Sequence, residues 1–295
     1  MPPVFNLEPN DYMPLIQRAV AEDLGAGDVT SKLALDRGRG TFHLVGRESG
    51  ILCGQRIAEA VLGQYDDTIT VAWTAGVEDG RPLITDRPLA VIEGPGPAIL
   101  AAERVLLNFL QRLSGVASLT GRHVAAVAHT SAKIYDTRKT TPGWRALEKY
   151  AVRCGGGHNH RMGLYDAVLI KDNHLAGIEP DRLAAHVFAI LDRASRLDPP
   201  PDFVEVEVDG LDQLESLFKV VGIDVILLDN FTPDELRRAV HMRDEHGLRD
   251  RIELEASGGV NLESVKRVAE TGVDRIAVGA LTHSAPAVDI GLEAG

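Results

Sequence analysis

The sequence predicts an α/β chain: a small domain of mixed helices and strands, then a parallel β/α barrel that is open or incomplete. Three observations carry this. From about Lys133 onward, strand-like runs recur, each followed by a helical pattern. Over the first hundred or so residues, helices and strands do not alternate strictly. Between these regions lies one long helical stretch with an apolar face. Repeated β-then-α units imply parallel strands joined by right-handed crossovers. The strand count falls short of eight, and a doubly wound sheet is the alternative arrangement.

The first helix covers Asp11–Asp23, where Leu15, Ile16, Ala19 and Val20 fall at helical spacing and Gly25 and Gly27 end the run. Strand-like runs follow at Thr41–Arg47, Ile69–Trp73 and Leu89–Glu93, with a helix at Gln55–Leu62. The long helix runs from about Ala98 to Ala128, with Val105, Leu106, Phe109, Leu110 and Leu113 on one face. Ser114-Gly115 is expected to break or bend it. The later strands are Ile134–Asp136, Ala167–Ile170, Phe203–Val208, Val225–Leu228, Ile252–Ala256 and Arg275–Val278. The helices between them are Arg145–Val152, Pro180–Arg196, Leu211–Val221, Pro233–His246 and Leu262–Glu270. The expected domains are 1–118 and 119–284, with the tail 285–295 packing back on the first.

Composition narrows the function classes. The chain has 295 residues and a formal net charge of −12, which disfavours non-specific nucleic-acid binding. An anionic substrate must then be held by local cations, not by the overall field. Two cysteines, Cys53 and Cys154, imply no disulfide framework and suit a reducing compartment. Met1-Pro-Pro-Val-Phe5 lacks the pattern of a signal peptide, and no apolar run is long enough to span a bilayer. The expected location is cytoplasmic.

In a β/α barrel, chemistry sits at the C-terminal ends of the strands. Here those ends deliver Arg138-Lys139, then Lys171, then Glu205 and Glu207, then Asp229, then Ser257-Gly258-Gly259, then Gly279-Ala280. Two successive glycine turns after the last strands are the usual barrel phosphate site, because glycine lets backbone N–H groups approach an anion. Val204, Val206 and Val208 alternate with Glu205 and Glu207, so the glutamates point into the barrel. Bare carboxylates there need a partner. Two partners are open: Mg²⁺ held by Glu207 and Asp229, or an ion-pair network with Lys139 and Lys171. Arg138, Lys139, His158, His160, Arg161 and Lys171 cluster in an otherwise acidic chain, and arginine grips carboxylates bidentately. The pair His158-Asn-His160 invites a zinc-hydrolase reading, but no later strand ends in histidine. Cys154 has no base at a defined spacing and reads as a small buried thiol.

Several ordered motifs resemble the quinolinate phosphoribosyltransferase family. They are Glu22-Asp-Leu-Gly-Ala-Gly-Asp-Val-Thr30, Glu103-Arg-Val-Leu-Leu-Asn-Phe109, Asp136-Thr-Arg-Lys-Thr-Thr-Pro-Gly143, Arg153-Cys-Gly-Gly-Gly-His-Asn-His-Arg-Met-Gly-Leu164 and Leu169-Ile-Lys-Asp-Asn-His174. Val204-Glu-Val-Glu207, Leu227-Leu-Asp-Asn-Phe231 and Glu255-Ala-Ser-Gly-Gly259 extend the likeness from about residue 20 to the end. The resemblance implies an N-terminal α/β sandwich domain and an open, incomplete β/α barrel. It implies that quinolinate and phosphoribosyl diphosphate give nicotinate mononucleotide, diphosphate and CO₂. It places Arg138, His160, Arg161 and Lys171 around the quinolinate carboxylates. Lys139, Glu207 and Asp229 go with the diphosphate and Mg²⁺, and Ser257, Gly258, Gly259, Gly279 and Ala280 with the 5′-phosphate. It also implies a homodimer in which Arg104 reaches the neighbouring subunit's site. Trp144 departs from the pattern, where a smaller or aliphatic side chain is expected.

Overall fold

A computed structural model describes residues 7–34 and 38–295, so the Met1–Phe5 stretch lies outside the described residues. In chain order the elements are α1 (Pro9–Leu24), α2 (Val29–Ala34), β1 (Arg39–Gly46), α3 (Gln55–Tyr65), β2 (Thr70–Trp73), β3 (Ala90–Pro95) and α4 (Gly96–Val127). Next come β4 (Lys133–Tyr135), α5 (Arg145–Cys154), β5 (Val168–Ile170), α6 (Asp172–Leu175), α7 (Leu183–Ala194) and β6 (Val204–Val208). The chain ends with α8 (Leu211–Leu217), β7 (Val225–Asp229), α9 (Pro233–Glu245), β8 (Glu253–Ser257), α10 (Val265–Ala269), β9 (Arg275–Ala277), α11 (Ala280–His283) and β10 (Ile290–Ala294).

These elements form two compact units. The first holds residues 1–121, 140–157 and 281–295, and the second holds 122–139 and 158–280. The boundary falls inside α4, a few residues beyond the expected position 118. Residues 140–157, read from the sequence as part of the barrel, belong to the first unit. The reason is local packing. Trp144 stacks on Phe109 with ring centroids 4.8 Å apart, and Arg112 pairs with the buried Glu148 at 2.7 Å. The unexpected Trp144 thus has a structural partner.

The first unit carries a four-stranded antiparallel sheet in the order β10-β1-β3-β2. The C-terminal strand β10 pairs with β1, with Leu44 opposite Leu292. Helix α1 packs on α3 and α5. Helix α4 runs unbroken through Ser114-Gly115, contrary to the expected break. The pair serves close packing instead. Ser114 Oγ accepts the Cys53 N–H at 3.0 Å, and a Cβ on Gly115 would lie 2.0 Å from the Pro286 carbonyl oxygen.

The second unit is a six-stranded parallel sheet in the order β4-β9-β8-β7-β6-β5. From β5 to β9, strands consecutive in sequence are neighbours, and the last, β9, returns to pair with the first, β4. A doubly wound sheet would instead reverse direction at an internal switch point. The order is that of a barrel opened between β4 and β5. His158 partly lines the open edge: its backbone forms an isolated parallel bridge with Tyr135, and the two rings stack at 5.1 Å. The central strands β6 and β7 are buried on both faces, as parallel strands under helices must be.

Two expected helices start late. The one read from Pro180 begins as a 3₁₀ turn, and α7 starts at Leu183. The one read from Leu262 begins at Val265, because the Asn261 side chain accepts N–H groups from Glu263 and Ser264 at 3.0 and 3.1 Å and holds a turn there.

Candidate active site

A cavity of about 440 Å³ opens at the C-terminal ends of the parallel strands in the second unit. Each strand contributes through its end. The segment after β4 brings Thr137, Arg138 and Lys139, and Lys171 follows β5 directly. Glu207 comes from β6, Asp229 is the last residue of β7, and Ser257 is the last of β8. His160 and Arg161 complete the cationic wall.

The segment carrying His160 and Arg161 has no regular secondary structure, so side chains fix it. The buried carboxylate of Asp136 accepts the Asn159 amide at 2.6 Å and the His160 N–H at 2.8 Å. The Asp166 carboxylate accepts the N–H of Gly163 at 2.9 Å. His160 Nδ1 accepts the Arg161 N–H at 2.8 Å, which leaves Nε2 to carry the ring proton toward Glu205, 2.7 Å away. His160 therefore lines the wall with both ring nitrogens turned to protein.

The cations differ in their engagement. Lys171 Nζ forms an ion pair with Glu207 Oε2, the network read from the sequence as one of two alternatives. Arg138 Nε is buried and without a hydrogen-bond partner. Burial, and then the neighbouring charge of Arg138, push the Arg161 pKa down. Two guanidinium groups whose charges act on each other in one cavity favour an anion between them.

Opposite lie the carboxylates. Asp229 has its pKa raised, first by burial and then by the charge of Glu207, against the opposing pull of Lys171 and Lys139. Two oxygen donors whose negative charges disfavour each other suit a hard divalent cation that takes its remaining ligands from water or substrate oxygens.

At the cavity floor Glu205 and His160, both named from the sequence, join Glu255 and Arg275, whose part there the sequence reading missed. Glu205 and Glu255 are fully buried, with His160 Nε2 lying 2.7 Å from one and 3.6 Å from the other. Arg275 Nε approaches Glu255 Oε2 at 2.7 Å, and its guanidinium lies over the Tyr135 ring at 3.9 Å. These contacts are ion pairs without aligned hydrogen bonds. Burial pushes the Glu205 pKa up to about 7 against the pull of Arg275, and burial plus the charge of Glu205 push Glu255 up to about 7. A signal existed: Leu254 and Ala256 alternate with Glu255 and Ser257, which puts Glu255 on the face that carries Ser257.

The glycine turns sit at the same rim. Gly258 adopts φ +104°, and a Cβ there would lie 2.2 Å from Asn230 Oδ1, so both backbone and space demand glycine. Gly259 adopts φ +60°. Because α10 starts only at Val265, an anion at this turn meets loop N–H groups and not a helix end. Gly279 and Ala280 follow β9. Arg104 is not among the cavity-lining residues; it lies on α4 in the first unit, with its side chain 61% exposed.

Family models for the N-terminal and C-terminal domains of quinolinate phosphoribosyl transferase match residues 28–114 and 116–293. The chain belongs to the quinolinate phosphoribosyltransferase family. The carboxylating nicotinate-nucleotide pyrophosphorylase of Mycobacterium leprae is 44% identical over 94% of this chain and 95% of its own. A mitochondrial decarboxylating quinolinate phosphoribosyltransferase of Nicotiana glauca is 36% identical over 96% of this chain and 82% of its own. The solved nicotinate-nucleotide pyrophosphorylase of Francisella tularensis superposes with a TM-score of 0.88 at 37% identity, covering 99% of each chain. Human nicotinic acid phosphoribosyltransferase shares the fold alone, with a TM-score of 0.58 at 13% identity. The family fold of an antiparallel-sheet domain and an open barrel is thus the fold of this chain.

Proposed function

We propose that this member transfers the phosphoribosyl group of phosphoribosyl diphosphate to quinolinate and releases CO₂. The observation that carries the reading is the buried, unpartnered Nε of Arg138 beside Arg161, facing Glu207 and Asp229 across one cavity. Quinolinate brings two adjacent carboxylates, which two guanidinium groups and Lys171 match in charge.

The pyridine nitrogen forms the new bond to the ribose anomeric carbon, and the bond from that carbon to the diphosphate oxygen breaks, its electron pair leaving with diphosphate. Glu207 and Asp229 sit where they offset positive charge growing on the sugar. Lys139 steadies the leaving group. Glu207 and Asp229 would hold Mg²⁺, directly or through water, and the ion would there supply charge neutralisation for the diphosphate. The quaternised ring then accepts the electron pair of the breaking carbon–carboxylate bond, CO₂ departs, and the ring carbon takes a proton. Arg138, Arg161 and Lys171 hold the ring so that the departing carboxylate lies out of its plane. Ser257, Gly258, Gly259, Gly279 and Ala280 receive the 5′-phosphate on backbone N–H groups.

The homodimer belongs to this reading: the exposed Arg104 completes the partner's site. Two free cysteines suit a reducing compartment, so we assign the chain to the cytoplasm. Among the described residues no helix is long and apolar enough to cross a membrane. The test is to mix the protein with phosphoribosyl diphosphate, Mg²⁺ and either quinolinate or nicotinate, then measure CO₂ and mononucleotide. Mononucleotide and CO₂ in equal amounts from quinolinate are expected. No product from quinolinate overturns the reading, and product from nicotinate alone transfers it to a monocarboxylate acceptor.

A further inference from the structure

The two cysteines of the chain come together in the first unit. A sulfur of Cys53, a sulfur of Cys154 and a carboxylate oxygen of Asp79 all lie within 4.8 Å of one another. Three separate pieces of chain deliver them. Cys53 precedes the start of α3, Asp79 lies between β2 and β3, and Cys154 is the last residue of α5. Both cysteines are buried free thiols.

Asp79 is held firmly. Its Oδ1 accepts the N–H groups of Gly54 and Gln55 at 2.9 and 3.2 Å, and its Oδ2 accepts the Tyr150 hydroxyl at 2.8 Å. Each carboxylate oxygen can accept more than one partner, and Oδ2 has capacity left. Such outer partners are what orient a ligating carboxylate. A cavity of about 330 Å³, lined by Asp79, Tyr150 and Cys154, reaches the group and carries Arg56, Arg81 and Arg153 in its wall.

We propose that Cys53, Cys154 and Asp79 bind one thiophilic divalent cation of the zinc class, with water from the adjoining cavity as fourth ligand. The donor set decides the class, because two thiolates select soft and borderline metals over magnesium or calcium. The spacing fits: zinc bonds of about 2.3 Å to sulfur and 2.0–2.2 Å to oxygen place tetrahedral donors roughly 3.6–3.8 Å apart. Closing from within 4.8 Å to that spacing is a shift of about 1 Å. Charge is balanced. Two thiols release their protons to solvent, the metal's oxidation state does not change, and the remaining negative charge faces the arginines in the cavity wall. The site makes no use of the substrate cavity and stands apart from the proposed activity.

The test uses the full chain, reduced and then stripped with a chelator. Titration with Cd²⁺ should raise the ultraviolet thiolate-to-metal absorption, saturate at one ion per chain, and reverse on addition of Zn²⁺. Zn²⁺ alone should raise the melting temperature of the wild type. In Cys154→Ser the absorption should fall and Cd²⁺ affinity should drop by at least about tenfold, with circular dichroism checking the fold. Absence of the thiolate band in the reduced wild type overturns the proposal, whatever the variant does. So does a band unchanged in Cys154→Ser. So does isolation of a Cys53–Cys154 disulfide that, once reduced, takes up no Cd²⁺.

Discussion

Replacing Glu255 with glutamine tests the buried cluster beneath the substrate cavity. Glu255 is fully buried, and its pKa is pushed from 4.5 to about 7 in the folded chain. The unfolded chain returns it to the ordinary value, so between these pH values the folded state binds the extra proton. The stabilisation is fully present below the unfolded pKa and is lost as pH rises through 7. Between pH 5 and pH 8 this one carboxylate should cost the wild type about 2.5 kcal/mol. Glutamine keeps the shape and has no proton to lose. Its absolute effect combines that gain with a weaker partner for Arg275, whose Nε lies 2.7 Å from Glu255. Packing changes act equally at both pH values, so the change with pH reports the titration of the coupled Glu205–Glu255 pair. Urea unfolding of both chains at pH 5, 6, 7 and 8 should show the variant gaining on the wild type by about 2.5 kcal/mol across the range. Parallel curves, or a variant that loses ground as pH rises, would refute a protonated carboxylate at this position.

Gly115→Ala should destabilise the first unit by more than about 2 kcal/mol despite alanine's helix propensity, because its Cβ meets the Pro286 carbonyl oxygen at 2.0 Å; a melting curve equal to or above wild type contradicts the close approach. Lys171→Ala should remove most activity while circular dichroism stays native, since Lys171 reaches the cavity and pairs with Glu207. Mixing Arg104→Ala with Lys171→Ala, each nearly inactive alone, should restore up to about a quarter of wild-type activity if the sites are shared between protomers. No recovery on mixing removes Arg104 from the partner's site. Asp229→Asn should raise the Mg²⁺ concentration needed for half-maximal rate, measured at saturating substrates, and an unchanged requirement separates Asp229 from the metal.

The barrel strands were legible because their signal is local. Val204–Val208 alternates valine with glutamate, Val225–Asp229 is an aliphatic run ending in a carboxylate, and both appear within a residue of their expected bounds. Strand ends also located Arg138, Lys171, Glu207, Asp229 and Ser257, because in parallel strands position along the chain maps directly onto height in the barrel. What failed depends on contacts distant in sequence. Ser114-Gly115 reads as a helix break until Pro286 is seen against it. Residues 140–157 follow a barrel strand in sequence, yet side chains such as Trp144 and Glu148 find their partners on Phe109 and Arg112. The meeting of Cys53 with Cys154 likewise needs the folded chain, since nothing near either residue announces the other.

The buried cluster also explains why a stabilising site can be built on a destabilising base. Glu205, Glu255, His160 and Arg275 cost desolvation that apolar side chains of similar volume would avoid. Their arrangement constrains the loop above. Glu205 draws the proton of His160 to Nε2, which leaves Nδ1 free to accept the N–H of Arg161. The backbone of Arg161 is thereby fixed by a ring that the barrel floor holds in one tautomer. An apolar floor of equal volume would stabilise the unit and release that constraint, leaving a mobile guanidinium at the cavity wall. Glu205→Gln lifts the demand on His160 only in part, because its amide oxygen still turns a partial negative charge toward Nε2. Glu205→Leu removes it entirely and should raise KM for quinolinate more than it lowers kcat, with the fold intact. An equal fall in kcat with unchanged KM would mean that the cluster acts on the reaction itself and not on the placing of Arg161.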